Sequence, residues 1–497
     1  MKQPHRSTRQ LRSERFDEIA GKLDRESCEK RRCLDAGQPP TPSASSQAPS
    51  GASIGCTAVS TVRRLRRSTA RPTARPTAPR LALLAVLIVA ASLSVFIALR
   101  TPAWEANDEP DHMMNIEKLV AGHWYRIEPN AGYAPHQPPL YYLLAAGLQK
   151  ALGRAPFAVK PQQGDAIVAN GQFGHAQPQE RRDRRLLLPL RLLSVVFSTL
   201  TIVVTNRLAK RLGADAWSAT AAAATVAFVP RYVFSASFVT NDGLATLLGV
   251  VATLFVVKLW LGDHEVGPTR RRWVLSLSLG VALGALASAK LISLPMVAFV
   301  GLAGLWALRR SPRLAVLLVI GAAAISLPVF LSNQIRYGDP IASRASVEYF
   351  RSWIPALVLQ IHTTDWLVKA VGNGFLTSFW YTSGWNQFRW KALTYVPLWG
   401  LACVGALGNI RRRGSFRGAL LCALIFASAV SSVWVLAWNT TQFQARLAFP
   451  GLAAFGSVVA LGWQRWNTPR WFAFVLPALG LCGTLYAINA DILSRYV

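Results

Sequence analysis

Acidic residues are scarce in this sequence: 24 Asp and Glu stand against 54 Lys and Arg among 497 residues. No DNA- or RNA-binding motif accompanies the excess positive charge, so we attribute that charge to membrane topology and contact with anionic lipid rather than to nucleic-acid binding. The six cysteines form no CxxC pair. Three of them lie in apolar runs and predict apolar packing rather than a disulfide or a metal site, namely Cys403, Cys422 and Cys482.

Long apolar runs, in contrast, are abundant. Hydrophobic residues make up 52% of the chain, which also contains 17 tryptophans. Because a helix needs about 20 mostly apolar residues to cross a bilayer, each run of that length predicts a transmembrane span. The sequence therefore predicts an all-α polytopic membrane protein with about 11 transmembrane helices. The predicted spans are 81–99, 186–206, 216–238, 243–262, 273–289, 291–308, 314–331, 393–409, 418–437, 445–463 and 471–489.

The first 80 residues are a different kind of segment, with 17 Lys and Arg, 7 Asp and Glu, and many Ser, Thr and Pro. Such a composition offers little apolar surface to bury, so we interpret it as a disordered basic tail. The basic run Arg63–Arg67 lies just before the first predicted span, which places the tail in the cytoplasm. That span begins too far along the chain for a cleavable signal, so we expect it to remain as an anchor in an inner or plasma membrane.

Basic residues also mark one side of the later spans. With a cytoplasmic amino terminus, five predicted loops fall on the cytoplasmic side and all are basic, which is the positive-inside pattern. This agreement requires that the short apolar stretch 138–152 lies at the membrane interface instead of spanning. The basic cluster 181–185 then falls outside, in a long loop where the rule weakens. The predicted regions are the tail 1–80, a membrane module 81–331 with a large outer loop 100–185, a second outer segment 332–392, and C-terminal helices 393–497.

The first outer loop concentrates the few acids, with six of them within residues 105–128. Asn107 or Asp108 can cap a helix whose first turn contains Pro110. On that helix Asp108 and His112 lie four residues apart and face the same way. A carboxylate beside apolar walls can act as a general base toward a hydroxyl. From the residues alone, Asp108 is either such a base or a plain helix cap.

A second motif in this loop is His136-Gln137-Pro138-Pro139, where two prolines set a rigid turn before the short apolar stretch. His136 has three possible roles. It could bind a metal with His112 or Asp108, hydrogen-bond a sugar, or be a solvated turn residue. The residues alone leave these alternatives open.

Together these motifs resemble the GT-C superfamily of polytopic glycosyltransferases, especially its protein O-mannosyltransferase and aminoarabinose transferase branches. The resemblance extends over about residues 81–460. It rests on motifs in a fixed order, which are Asp108-Glu109, His136–Tyr142, Arg191–Ser194, Pro230–Tyr232, Asn241-Asp242, Ser288–Lys290, Asn333–Pro340 and Gln444–Arg446.

The resemblance implies transfer of a sugar from a polyprenyl-phosphate-linked donor to an acceptor hydroxyl on the extracytoplasmic face, with inversion. It also implies two juxtamembrane helices in the first outer loop and a catalytic acid there. Asp108 is the candidate base, with Glu109 orienting it or taking its place. Cations at the outer ends of the spans would bind the phosphate. The candidate substrate-binding residues are His112, His136, Gln137, Asp242, Lys290, Arg336 and Arg446.

The chain departs from the aminoarabinose transferases at His136-Gln137, where those proteins carry Glu-Lys, so the resemblance assigns neither their sugar specificity nor their phosphate contact to this chain. A divalent cation is a possible cofactor, with no metal ligands assigned. The expected partners are the lipid-linked donor, a lipid, glycan or protein acceptor, and membrane lipids. The alternative function is a transporter or flippase of a lipid-linked or anionic envelope precursor. Such a protein should carry ionisable residues within its spans, whereas acids are absent from the predicted span interiors.

Overall fold

The computed structural model describes residues 78–104, 106, 108–128, 135–154, 180–262, 269–353, 374–383, 388–411, 416–440 and 444–494. The predicted disordered tail therefore lies almost entirely outside the described residues, as do parts of both outer segments. Within the described part of the chain, nine helices are long and apolar enough to cross a membrane. The prediction of an all-α, multi-pass membrane protein is confirmed.

The described residues form sixteen α-helices. The first eight are α1 (Ala78–Arg100), α2 (Glu109–Val120), α3 (Leu140–Ala151), α4 (Glu180–Arg211), α5 (Ala216–Ala227), α6 (Pro230–Ser235), α7 (Asp242–Leu261) and α8 (Thr269–Ala289). The others are α9 (Leu294–Ala307), α10 (Pro312–Tyr337), α11 (Ser343–Trp353), α12 (Thr377–Trp380), α13 (Tyr395–Leu407), α14 (Phe416–Thr440), α15 (Leu452–Arg465) and α16 (Val475–Ala487).

Short 3₁₀ or π segments extend several of these helices. They are Leu291–Ser293 before α9, Ala392–Thr394 before α13, Gly408–Arg411 after α13, Ala445–Gly451 before α15, Arg470–Phe474 before α16, and the π-helical Ile488–Leu493 after it. One small hairpin interrupts the helical pattern, in which β1 (Thr382–Ser383) pairs antiparallel with β2 (Phe388–Arg389).

Two of the predicted spans are shorter in the structure than the sequence suggested. The apolar run 216–238 divides into α5 and α6 because Pro230 has no amide hydrogen to continue the helix. Every residue from Ser218 to Ala227 is buried, so the alanine-rich α5 is enclosed by other helices. The run 291–308 forms a helix over Leu291–Ala307, again shorter than the nine long helices.

Glycines allow the closest approach between neighbouring helices. The helices α8 and α10 pack against each other through Gly280, Gly284 and Gly321. A Cβ atom added at Gly321 would lie 2.6 Å from the carbonyl oxygen of Leu277. Small residues of this kind let backbones meet where lipid supplies no hydrophobic driving force between helices. This contact ties α10, which is otherwise mostly exposed, to the rest of the bundle.

The two short helices α2 and α3 lie within the segment 100–185, where the resemblance implied juxtamembrane helices. Each has 12 residues, so each is only roughly 18 Å long and too short to cross a bilayer. The length of α3 agrees with the prediction that 138–152 does not span. Their apolar faces pack against one another and against the ends of α4 and α7, with Met113, Tyr141, Leu190 and Leu244 in one buried cluster. This packing holds the first residues of α2 in place.

Candidate active site

Charged and polar side chains from several distant segments meet around one cavity of about 550 Å³, which we call the main cavity. They come from the start of α2, the turn before α3, the start of α7, the residue after α8 and the 3₁₀ segment before α15. Every predicted site residue except Glu109 and Arg336 lines this cavity. Its polar lining includes Asp108, Asp111, His112, His136, Gln137, Asn241, Asp242, Lys290 and Arg446.

Arg446 bridges two carboxylates in the cavity wall. Its Nη1 donates to Asp242 Oδ2 at 3.3 Å, and its Nη2 donates to Asp108. Lys290 pairs with the other oxygen of Asp242. Two negative charges and two positive charges thus lie in direct contact. Asp108 and Asp242 belong to two separate motifs of the resemblance, and the structure brings them to the same guanidinium.

The side chain of Asp108 is the most open of these four. It is 27% exposed, against 3% for Asp242, 5% for Lys290 and 9% for Arg446, so its carboxylate faces the cavity. The backbone of Asp108 is left-handed, with φ of 62°, and its side chain forms no capping hydrogen bond to α2. Strained backbone in a residue other than glycine concentrates at functional sites. The structure therefore does not use the Asp108 side chain as a helix cap.

The protonation states in the cavity follow from burial and from neighbouring charges. Burial by itself would raise the pKa of Asp108, but the positive charge of the adjacent Arg446 lowers that pKa below its usual value. Asp108 is therefore ionised at neutral pH. Burial lowers the pKa of His112 to about 4 and that of His136 to about 4, so both imidazoles are neutral. A neutral His112 hydrogen-bonds through Nδ1 to the Tyr142 hydroxyl at 2.7 Å.

Asp111 is a cavity residue that the sequence reasoning did not select. Burial, and then the negative charge of Asp108, raise its pKa to about 8. Its carboxyl group therefore carries a proton at neutral pH and can donate a hydrogen bond into the cavity. Its place in the acidic run one helical turn after Asp108 was a signal that could have identified it.

Glu109 lies outside the main cavity, unlike the adjacent Asp108. It is fully buried, does not line the main cavity, and accepts from Arg191 at both oxygens, from Nε at 2.9 Å and from Nη2 at 2.6 Å. The amide of Val239 also donates to Glu109 at 3.1 Å. Arg191 further donates to the carbonyls of Ala98, Thr101 and Pro102. The pair ties the end of α1 and the start of α2 to α4, so its geometry suits a positioning role.

Gln444 and Arg231 were quoted in the resemblance but not selected as site residues. Gln444 Oε1 accepts from Arg446 Nε at 2.6 Å and from Arg231 Nη2 at 3.5 Å. The buried Arg231 also donates to the carbonyl of Thr382 at the hairpin. Gln444 therefore orients the Arg446 guanidinium so that its two Nη atoms point to Asp108 and Asp242.

Gln137 connects the turn before α3 to the residue that precedes α7. Its Oε1 accepts from Asn241 Nδ2 at 3.0 Å, and its Nε2 lies 2.9 Å from His136 Nε2. Arg336, the other residue outside the main cavity, lies on α10 and lines a second cavity instead. His136 and Gln137 line both cavities.

The possible divalent cation does not fit the described residues. No group of three His, Cys, Asp or Glu among them is arranged to hold a metal ion. Asp108 and Asp242 are already bonded to Arg446, and Asp242 also to Lys290. A cation between the two carboxylates would compete with both basic residues, so we derive no catalytic step through a metal.

Comparison with known proteins gives one family and several distant structures. The family model for dolichyl-phosphate-mannose-protein mannosyltransferase matches residues 170–334. No curated protein matches the chain. ArnT from Cupriavidus metallidurans bound to undecaprenyl phosphate has 15% identity and a TM-score of 0.49, with 83% of this chain and 64% of that chain covered.

Two further structures are more distant. The Archaeoglobus fulgidus oligosaccharyltransferase in the apo form has 16% identity and a TM-score of 0.44, covering 83% of this chain and 55% of that one. The S. cerevisiae Pmt1-Pmt2 complex bound to the sugar donor has 17% identity and a TM-score of 0.38, covering 61% and 36%. The chain spans less than two thirds of the length of each of these three structures. The family match over residues 170–334 confirms the resemblance to the GT-C glycosyltransferases that the motifs predicted. The nine long apolar helices among the described residues confirm a multi-pass membrane protein.

Proposed function

We propose that the protein is a glycosyltransferase that moves a sugar from a polyprenyl-phosphate-linked donor to an acceptor hydroxyl. We place the reaction at the extracytoplasmic face of a plasma (inner) membrane, with the amino terminus in the cytoplasm. The observation that carries this function is the cavity-facing carboxylate of Asp108, which shares Arg446 with Asp242 beside Lys290.

The main cavity has one positively charged side and one apolar side, and a polyprenyl-phosphate-linked sugar can contact both. Lys290 and Arg446 supply positive charge at one side. Apolar side chains from the segment after α8 and the start of α9 form another side, including Leu291, Ile292 and Leu294. A phosphate at the cations would leave its isoprenoid chain against this apolar wall. An amphiphile of this kind satisfies both sides at once, whereas a free nucleotide sugar would leave the apolar wall uncovered.

The reaction that this geometry supports is a single displacement. The oxygen of the acceptor hydroxyl attacks the anomeric carbon of the donor sugar and forms a new C–O bond. The bond from that carbon to the phosphate oxygen breaks, and polyprenyl phosphate leaves with the bonding electron pair. The hydroxyl proton passes to the carboxylate of Asp108. Attack from the side opposite the leaving group inverts the anomeric configuration.

The basic residues serve the leaving group and also tune the base. Negative charge grows on the phosphate as the bond breaks, and Arg446 and Lys290 are positioned to stabilise it. A phosphate bound at Arg446 also offsets the positive charge that Asp108 experiences. The pKa of Asp108 then rises, because Arg446 is what lowers it in the free protein. Donor binding thereby makes Asp108 a stronger base.

The ionisation of Asp111 predicts a loss of donor affinity in alkaline solution. The pKa of Asp111 is about 8. Below about pH 8 its carboxyl group therefore keeps its proton and adds no charge to the cavity. Above that pH it becomes a second anion beside Asp108 and repels the donor phosphate. We expect the KM for the donor to rise severalfold between about pH 7 and about pH 9. Initial rates over a donor titration at each pH would measure this.

The Asp111→Asn variant is the matched test, because an amide cannot ionise. Its KM should change little over the same pH range, while the wild-type value rises. An alkaline rise of equal size in Asp111→Asn would show that another group is responsible.

Transfer itself is best tested in proteoliposomes that contain the purified protein and one donor from a panel of polyprenyl-phosphate sugars carrying a radiolabelled sugar. Glycosyl transfer predicts that label leaves the donor for a new product and that one equivalent of polyprenyl phosphate appears. Label that stays on the donor but moves from one leaflet to the other would instead establish a flippase. Empty liposomes supply the background for both readouts.

A further inference from the structure

A second cavity of about 390 Å³ lies beside the main cavity and has no part in the reaction described so far. It lies between α10 and the segment that leads into α3. His136, Gln137 and Leu291 line both cavities, so these residues form a common wall. A group bound in the second cavity is therefore separated from the main cavity by these side chains alone.

One stripe of α10 gives the second cavity a gradient of polarity. Its lining residues recur three and four positions apart, and therefore occupy one helix face. The residues nearer the middle of the helix are apolar, namely Ile325, Pro328 and Val329. Those nearer its end are polar, namely Ser332, Asn333, Arg336 and Tyr337. From 325 to 337 the stripe extends over roughly 18 Å, at about 1.5 Å per residue.

The polar end of the stripe is built around an exposed cation. The guanidinium of Arg336 lies 5.7 Å from the centre of the Trp124 ring. Trp124 is 45% exposed and stacks on Tyr125 with ring centres 6.2 Å apart. Among the described residues no carboxylate pairs with Arg336. Its charge is therefore available to an anionic group, and the aromatic rings offer flat surfaces for a sugar or glycerol head.

The apolar end borders an exposed apolar surface. Leu327 and Leu331 on α10, a candidate membrane span, are exposed by 48% and 50%. Exposed apolar side chains on such a helix face lipid. A molecule could enter the second cavity sideways from the bilayer, with its chain beside α10 and its head at Arg336.

We infer that the second cavity is the acceptor site and that it takes a membrane lipid with an anionic, hydroxyl-bearing headgroup. This inference rests on the proposed function, and it narrows the acceptor from lipid, glycan or protein to a lipid. The acceptor hydroxyl would reach Asp108 across the wall formed by His136 and Gln137. Both are uncharged, since burial lowers the pKa of His136 to about 4, so the wall suits a neutral hydroxyl.

Photo-crosslinking tests the site without requiring catalysis. The protein is placed in proteoliposomes containing a diazirine-bearing phosphatidylglycerol, whose head carries a phosphate and free hydroxyls, and labelled peptides are identified by mass spectrometry. We expect labelling of residues 325–337 to fall about fivefold in Arg336→Gln and to recover largely in Arg336→Lys. The control is Arg309→Gln, because Arg309 also lies over a tryptophan, Trp306, at 4.7 Å but lines neither cavity.

Three results would overturn the inference. The first is equal labelling of wild type and Arg336→Gln. The second is equal labelling by a diazirine-bearing phosphatidylcholine, which would indicate general lipid contact. The third is displacement of the label by excess undecaprenyl phosphate, which would make the second cavity part of the donor site.

The transfer assay then separates the acceptor class from the reaction itself. Radiolabelled product that partitions into the lipid extract supports a lipid acceptor, and product that precipitates with protein contradicts it. If no sugar is transferred from any donor, the proposed function fails, while the crosslinking result still decides whether an anionic lipid binds at Arg336.

Discussion

Replacement of Asp108 by Asn is expected to lower the rate of sugar transfer by about 10²- to 10⁴-fold, the usual contribution of a general base. The amide is nearly isosteric with the carboxylate, but it cannot accept the proton of the acceptor hydroxyl. Its amide oxygen can still accept from Arg446 Nη2, but the negative charge is lost, which should change donor binding less than it changes turnover. Single-turnover rates at saturating donor in proteoliposomes would measure the effect on the chemical step.

Asp215→Asn is the matched control for this change. Asp215 is exposed, caps α5 through the amide of Ser218 at 2.7 Å, and lines neither cavity. Asn is an equally good cap, so this variant should fold and transfer sugar as the wild type does. An Asp108→Asn protein that is monodisperse in detergent and still transfers at the wild-type rate would remove Asp108 as the base. Asp111 would then be the next carboxyl group to test.

Replacement of Arg191 by Met is expected to cost about 3–5 kcal/mol of stability, because it leaves the buried carboxylate of Glu109 without its partner. Three backbone carbonyls at the end of α1 and just after it would lose their donor as well. The start of α2, and with it Asp108, would lose its anchor. The midpoint of thermal unfolding in detergent should fall sharply, and the folded yield with it.

Two further variants show whether the unpaired charge of Glu109 causes the loss of stability. Arg207→Met changes an exposed arginine on the same helix and should leave the unfolding midpoint nearly unchanged. Glu109→Gln combined with Arg191→Met removes both charges and should recover part of the stability lost by Arg191→Met alone. A double variant as unstable as the single one would show that the carbonyl contacts of Arg191, rather than its ion pair, hold this junction.

The comparison of predicted spans with observed helices shows how far transmembrane helices can be predicted from hydrophobicity. Runs of about 20 apolar residues identified the nine long helices, since crossing a bilayer requires that length and composition. The same criterion merged α5 and α6 into one predicted span. Pro230 was visible in the sequence, but whether its missing amide hydrogen ends a helix depends on the neighbours that surround it.

The candidate site also divides into contacts that the sequence predicted and contacts that only the structure shows. The spacing of Asp108 and His112 predicted that they share a helix face, and both line the main cavity. Neither spacing nor composition could show that Arg446 lies between Asp108 and Asp242, because these residues are hundreds of positions apart. Glu109 and Arg336 were grouped with them by motif. Only packing directs Glu109 toward Arg191 and places Arg336 at a different cavity.

By itself the sequence determined that this is a multi-pass helical membrane protein, that its acids gather after the first span, and which motifs resemble a glycosyltransferase superfamily. These properties depend on local composition and on order along the chain, which folding does not change. Only the tertiary structure showed that Arg446 contacts both carboxylates and that Asp108 faces the main cavity. It also showed that His136 and Gln137 line two cavities. Those properties depend on distances between segments far apart in the chain, and on the burial that lowers the pKa of His112 and raises that of Asp111.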